Sequence, residues 1–196
     1  MDRRTFISSL AALAATTTGA LAESRTRYNF NNTSRSTTSG GTGINFFGRS
    51  RYRGKQTVSY RTSEKPGTII ISTRKRKLYF VLADDKAIEY GVGVGRQGFT
   101  WSGAANIARK AEWPAWHPPA EMREREPDLP VRMEGGEDNP LGARALYLGN
   151  TLYRIHGTHQ PWTIGESVSS GCIRLRNEDV ISLYDMVKVG AKVIVE

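Results

Sequence analysis

Cysteine is nearly missing from this chain: there is one, Cys172, among 196 residues. An internal disulfide is therefore excluded, and the lone sulfur is either an inert buried side chain or a free thiol with chemistry of its own. Histidine is scarce as well, with three residues, and these do not stand at metal-ligand spacing from one another or from the cysteine. A zinc site is thus not expected, and no cofactor is implied. Carboxylates are in deficit, 19 Asp and Glu against 28 Lys and Arg, for a net charge of +9. Uninterrupted apolar runs are also wanting. The stretch Ile7 to Leu21 is broken by Thr16, Thr17, Thr18 and Gly19, and falls short of the roughly 18–20 apolar residues that a membrane span requires. No transmembrane span is expected in the mature chain.

What that stretch does fit is an export signal. Arg3-Arg4-Thr5-Phe6 precedes it and Ala20-Leu21-Ala22 follows, giving a basic n-region, an apolar h-region and a small-x-small cleavage site. The Arg-Arg-x-Phe core resembles a twin-arginine signal, with Asp2 where Ser or Thr is usual. Residues 1–22 are accordingly read as a removable export segment and the mature protein is expected in the periplasm or cell envelope. Residues 23–65 are read as a disordered linker. Its first part, to about residue 57, is rich in Ser, Thr, Gly and Arg, without helical or strand period. The signal carries +1 and residues 23–57 carry +6, which leaves about +2 for the remainder. The basic charge belongs to the tether, which is either a soluble spacer or a loose leash onto anionic envelope polymers. Nucleic acid is not an expected partner.

From residue 66 to 196 the chain reads as one mainly β domain with one or two short helices. Thr68 to Thr73 and Lys77 to Leu82 are β-branched or aromatic runs around the polar turn Arg74-Lys75-Arg76, and Asp84-Asp85-Lys86 turns into a third strand, Ala87 to Val94. Residues 100–140 show no clear period, and so long an irregular stretch in a compact domain is usually functional. Ala145 to Gly149 and Thr151 to His156 form an expected strand pair. Asn177 is read as the cap of a late helix that Gly190 stops, and Lys192 to Val195 as a closing strand.

The chemistry gathers late in the chain. His156 ends a predicted strand and Gly157-Thr158 follows. Ser169-Ser170-Gly171-Cys172-Ile173-Arg174-Leu175 lies sixteen residues on. A thiol is mostly protonated at neutral pH and needs a base to attack a carbonyl, a task suited to imidazole. The amides of Ser170, Gly171 and Cys172 are candidates to face an oxyanion. If residues 172–174 are extended, Arg174 projects to the side of Cys172, where a guanidinium can hold a carboxylate. Singly, each residue has a plainer explanation: a structural histidine, a surface arginine, an ordinary Ser-Gly turn.

Together they resemble the signature of the L,D-transpeptidase catalytic domain (YkuD type). The likeness extends to Gly91-Val92-Gly93-Val94-Gly95, Trp113-Pro114-Ala115-Trp116 and Asn139-Pro140-Leu141-Gly142, and covers about residues 66–196. The resemblance implies a β-sandwich or barrel in which Cys172 is the nucleophile and His156 its base. It further implies that the Gly157 carbonyl orients the imidazole and that Arg174, with Ser169 and Trp113 as further candidates, meets substrate. The implied partners are peptidoglycan stem peptides. Cys172 would attack the third-residue carbonyl of a tetrapeptide stem, expel D-alanine, and pass the acyl group to a stem amine, to an envelope-protein amine or to water. A catalytically silent wall-binding module is the non-enzymatic alternative. Many members carry His where this chain has Ser170, so a second imidazole at that position has no part here. His117 and His159 are read as non-catalytic. Trp113, Trp116 and Trp162 are each either groove or core. A sortase-like reading fits less well, because there Arg stands far beyond Cys rather than two residues after it.

Overall fold

Ile69, Ile70, Ile71 and Ser72 are all buried, and a strand buried on both faces reads as a continuous rather than alternating apolar run. This strand lies inside the sheet, and the computed structural model, which describes residues 54–96 and 101–196, builds outward from it. The expected export segment 1–22 and residues 23–53 of the expected linker lie outside the described residues.

In chain order the elements are β1 (Gln56–Ser59), β2 (Ile69–Ser72), β3 (Lys77–Val81), β4 (Lys86–Gly91), β5 (Val94–Gly95), β6 (Gly103–Glu112), α1 (Ala120–Arg125), β7 (Arg144–Leu148), β8 (Arg154–His156), β9 (Ser167–Ser169), β10 (Ile173–Arg174), α2 (Asn177–Met186) and β11 (Lys192–Val195). Nine strands form one sheet in the order β1-β4-β3-β2-β11-β6-β7-β8-β10, and β5 pairs with β9 separately. The expected meander is present as antiparallel β2, β3 and β4. The C-terminal strand β11 inserts parallel to β2 and antiparallel to β6.

The long strand β6 turns the sheet. Residues 103–106 pair with β11, residues 107–112 pair with β7, and the register shifts between Ile107 and Arg109. An irregularity of this kind bends a strand. The two halves then bury their apolar faces in one core, where Ile69, Leu78 and Val193 join Leu146, Ile155 and Ile173. A smaller cluster, Ile70, Tyr79, Val81 and Ala87, lies on the other face of the meander, and Val58 and Tyr60 pack on it. The architecture is mainly β with two helices, as expected.

Three local expectations are corrected. Residues 56–59 of the expected linker are strand β1, paired with β4 through Thr57 and Ile88, so order begins before residue 66. Residues 100–140 are not irregular throughout, since they contain the ten-residue strand β6 and the helix α1. Asn177 does not cap α2: Arg176 holds the cap position without a side-chain bond. The helix ends at Met186, four residues before Gly190, because Val187 turns extended and Lys110 donates to the carbonyls of Tyr184 and Val187 (2.5 and 2.7 Å).

Asn177 works elsewhere. Its Oδ1 accepts from the amides of Ala143 (3.0 Å) and Thr158 (3.2 Å), both on buried residues. A Cβ on Gly142 or Gly157 would come within 2.2 or 2.3 Å of that oxygen, so both positions need glycine for close approach. One side chain thus ties the segment before β7 to the segment after β8. Asn177→Ala leaves two buried amides without an acceptor, and is expected to lower unfolding free energy by about 2–4 kcal/mol, read from the midpoint of urea denaturation. Asn177→Asp keeps an acceptor oxygen and should lose less.

Candidate active site

The parallel pairing of β8 and β10 sets Ile173 beside Ile155 and Arg174 beside His156. Successive side chains alternate between faces. Ile155 and Ile173 point into the core, so Arg154 and His156 share the opposite face with Arg174 and, one step before β10, Cys172. With strands about 4.8 Å apart and about 3.3 Å of rise per residue, the Cα atoms of Cys172 and His156 stand about 8 Å apart, pointing the same way.

The loop that separates them in sequence is sewn down. Gly165 N–H donates to the Val92 carbonyl, Val94 N–H to that of Glu166 and Arg96 N–H to that of Ser169 (3.0–3.1 Å). The other edge of β10 is closed by Gly93, which exchanges two backbone bonds with Arg174 (2.8 and 2.9 Å). A side chain at Gly93 would press on the Thr163 carbonyl at 3.1 Å. The thiol itself sits on a tight turn. Gly171 has φ of 104°, a region closed to most side chains. Its N–H donates to Ser169 Oγ (3.2 Å), and Ser169 Oγ–H donates to the Cys172 carbonyl (2.6 Å).

This geometry sorts the residues singled out from sequence. Cys172, His156 and Arg174 come together on one face. Gly157 accepts from the imidazole, with its carbonyl 2.6 Å from His156 Nδ1. Ser169 is buried, its hydroxyl bracing the turn rather than facing solvent. The Gly171 amide is directed to that hydroxyl, while Ser170 is exposed. Trp113, at the end of β6, is 42% exposed and holds φ of 39°, an uncommon conformation for a bulky residue. Trp162 is also exposed, whereas Trp116 is buried and bridges to Met133. Arg154 was not singled out. It lies two residues before His156 on the same strand, so the alternation rule applied to Arg174 would have found it.

Burial lowers the His156 pKa from 6.5 to about 3, and the guanidiniums of Arg174 and Arg154 push the same way, against the carbonyls of Gly157 and Leu141. The imidazole is neutral at physiological pH, with Nδ1–H donated to Gly157 and Nε2 left as the basic atom. Burial raises the Cys172 thiol above its ordinary value, and Arg154 and Arg174 oppose that rise. Both directions favour the uncharged forms, a thiol at Cys172 and a neutral imidazole at His156. The sulfur lies 3.9 Å from the Leu152 carbonyl, a weak contact that a substrate can replace. Among the described residues no group of His, Cys, Asp and Glu is arranged to hold a metal ion.

Two measurements follow. A buried neutral histidine takes up its proton more readily when unfolded, so between about pH 6.5 and 3 its contribution to stability is lost as pH falls, at up to about 1.4 kcal/mol per pH unit. The stability gap between wild type and His156→Gln should therefore narrow from pH 6.5 to 5 in urea titrations, and a constant gap would contradict burial as a neutral base. Alkylation of Cys172 by iodoacetamide should be slow at pH 7 and rise close to tenfold per pH unit toward pH 9. A rate already level between pH 5 and 7 would reveal a thiolate instead.

The domain has relatives among known proteins. The model of the YkuD family, the L,D-transpeptidase catalytic domain, matches residues 66–195. The probable L,D-transpeptidase ErfK/SrfK of Escherichia coli K12 is 38% identical over 134 residues, 64% of this chain and 42% of that protein. The putative L,D-transpeptidase YqjB of Bacillus subtilis 168 is 31% identical over 65% of this chain and 69% of its own. This chain thus spans about two fifths of the length of the Escherichia coli relative. Among solved structures, a Brucella melitensis protein described as a probable carnitine operon oxidoreductase is 48% identical, over 74% of this chain and 94% of that one, with a TM-score of 0.51. An Enterococcus faecium L,D-transpeptidase has the same TM-score at 16% identity, over 67% of this chain and 50% of that one, and shares the fold. With a strand order that brings one thiol and one buried imidazole to a common face, and a family match across two thirds of its length, this chain belongs to the YkuD L,D-transpeptidase catalytic domain family.

Proposed function

We propose that this chain is a cysteine-nucleophile acyltransferase that exchanges acyl bonds in the stem peptides of peptidoglycan. The observation that supports the reading is the β8–β10 register, which pairs Arg174 with His156, with Cys172 one step before β10 and Arg154 and Arg174 acting on both the thiol and the imidazole. In the proposed reaction Cys172 Sγ bonds to the carbonyl carbon of the third stem residue while its proton passes to His156 Nε2. Arg154 and Arg174 favour the negative charge that forms. The amides of Ser170 and Cys172 are better placed to receive the oxyanion than that of Gly171, which already bonds Ser169 Oγ. The C–N bond to the terminal D-alanine breaks, its nitrogen takes the proton from the imidazolium, and a thioester remains. An incoming amine of a second stem or of an envelope protein then attacks, gives its surplus proton to Nε2, and the thiol is restored. Water in place of the amine would make the same site a carboxypeptidase. Disulfide exchange within the chain lacks a second sulfur.

The wider assignments rest on sequence: residues 1–22 as export signal, residues 23–65 as tether apart from strand β1, and residues 66–196 as the catalytic domain at the cell envelope. No helix among the described residues is long and apolar enough to cross a membrane.

The test is product analysis by mass spectrometry, with tetrapeptide muropeptides supplied as donor and acceptor together. D-alanine release with a 3→3 linked dimer is expected. Cys172→Ala should lower release at least about a thousandfold, and His156→Gln by about a hundredfold to ten-thousandfold. Equal release by wild type and Cys172→Ala would refute the reading.

A further inference from the structure

The row of side chains that reaches the thiol does not stop at Arg154. Across the antiparallel pairs, Arg154 on β8 faces Tyr147 on β7, and Tyr147 faces Arg109 on β6. Paired residues share a face, so Arg109, Tyr147 and Arg154 form one line on the surface that carries Cys172. The contacts agree. The Arg109 guanidinium lies 3.6 Å from the centre of the Tyr147 ring and that of Arg154 lies 5.6 Å from it. Stacked flat, a guanidinium keeps its N–H edges free for a planar anion.

The strands that carry this face supply almost no compensating charge. The segments β6, β7, β8 and β10 contain a single carboxylate, Glu112. Glu112 points the other way, paired at 3.1 Å with Arg144, whose guanidinium lies over Tyr184 of helix α2. Among the described residues Arg109, Arg154 and Arg174 form no ion pair, and the Nε atoms of Arg154 and Arg174 are buried without a hydrogen-bond partner. An arginine with an enclosed, unused donor is costly unless something else supplies the acceptor. Two such donors, on Arg154 and Arg174, lie on the thiol's face, and the exposed guanidinium of Arg109 stands in line with them; together they call for an anion from the substrate.

We infer that the Arg109–Tyr147–Arg154 row is a carboxylate-binding subsite that reads a free carboxylate on the peptide acylating Cys172. The inference rests on the acyl-transfer reading above and deepens it. Strands are about 4.8 Å apart, and the Arg109 guanidinium sits over β7, so it lies roughly 10 Å from the β10 strand line. An extended peptide covers that distance in about three residues. One or two residues of backbone plus an acidic side chain cover the same span, so the carboxylate is borne on the acylated residue's side chain or on the residue before it. An amidated stem, neutral at that position, loses the charge-assisted bonds while leaving the scissile bond unchanged.

The experiment uses the mature full-length protein and two matched sets of synthetic tetrapeptides. One set carries a free carboxylate or a primary carboxamide on the residue preceding the acylated one, and the other carries the same choice on the acylated residue's side chain. D-alanine release gives kcat/KM for each. The carboxylate peptide should be preferred by about tenfold or more in at least one set. In Arg109→Gln that ratio should collapse toward one, and Arg109→Lys should restore part of it. General damage to the fold lowers both rates and leaves their ratio alone, so the ratio isolates the row. Turnover of both peptides at equal kcat/KM in both sets would overturn the subsite, as would a wild-type preference unchanged in Arg109→Gln. Turnover of neither peptide would overturn the acyl-transfer reading, and this inference with it.

Discussion

Parallel pairing of two short strands, β8 and β10, is the constraint on which the site depends. Strands with a period of two offer only two choices of face, and a slip of one residue would send Cys172 to the core side and leave His156 alone. Several features pin the register against that slip. Ile155 and Ile173 are buried side by side in the main core. Gly93 closes the free edge of β10 with two backbone bonds. The Leu175 amide donates to the His156 carbonyl at 2.8 Å, extending the ladder past the last paired residue. The apolar core thus fixes where the polar side chains of these two strands stand.

A second layer holds the imidazole in one tautomer. His156 Nδ1 donates to the carbonyl of the residue that follows it, so the orientation of the ring depends on the path of residues 157 and 158. That path is held by Asn177, whose single oxygen bonds the amides of Ala143 and Thr158. A substitution in α2 would therefore be felt at the base through two hydrogen bonds and a peptide unit. This explains the glycines at 142 and 157 more directly than turn propensity does, since the asparagine oxygen fills the space a side chain would need.

How much of this is legible in the sequence depends on whether the cause is local. Strands β2, β3 and β11 are β-branched or aromatic runs and announce themselves. His156 and Cys172 stand in glycine-rich contexts whose combination is specific, and Arg174 follows from alternation. Strand β6 is hidden because Gly103-Ala-Ala-Asn-Ile-Ala-Arg-Lys-Ala-Glu112 has little strand propensity. It is extended because β11 and β7 pair with its two ends, and those partners lie far away in sequence. Asn177 was read as a helix cap because capping is a local rule, and the longer-range demand of two buried amides overrides it. The alignment of Arg109 with Tyr147 and Arg154 needs the registers of three strands at once, and no pattern within one segment contains them.

Net charge proved a poor guide to the field at the site. Most of the basic excess lies outside residues 58–196, where the balance is only about +2, yet three arginines that form no ion pair among the described residues share one face of the sheet while the nearby carboxylate of Glu112 is turned away. Two of them, Arg154 and Arg174, act on both His156 and Cys172, with opposite consequences. They favour negative charge on sulfur and on an oxyanion, and disfavour positive charge on His156. Under the proposed reaction, a base made this weak removes a proton only as the sulfur–carbon bond forms, and an imidazolium made this acidic hands the proton on readily to a departing amine. In the proposed reaction one arrangement of charge therefore serves both halves of acylation: it restrains the thiol until a carbonyl is present, then drives the proton toward the leaving group.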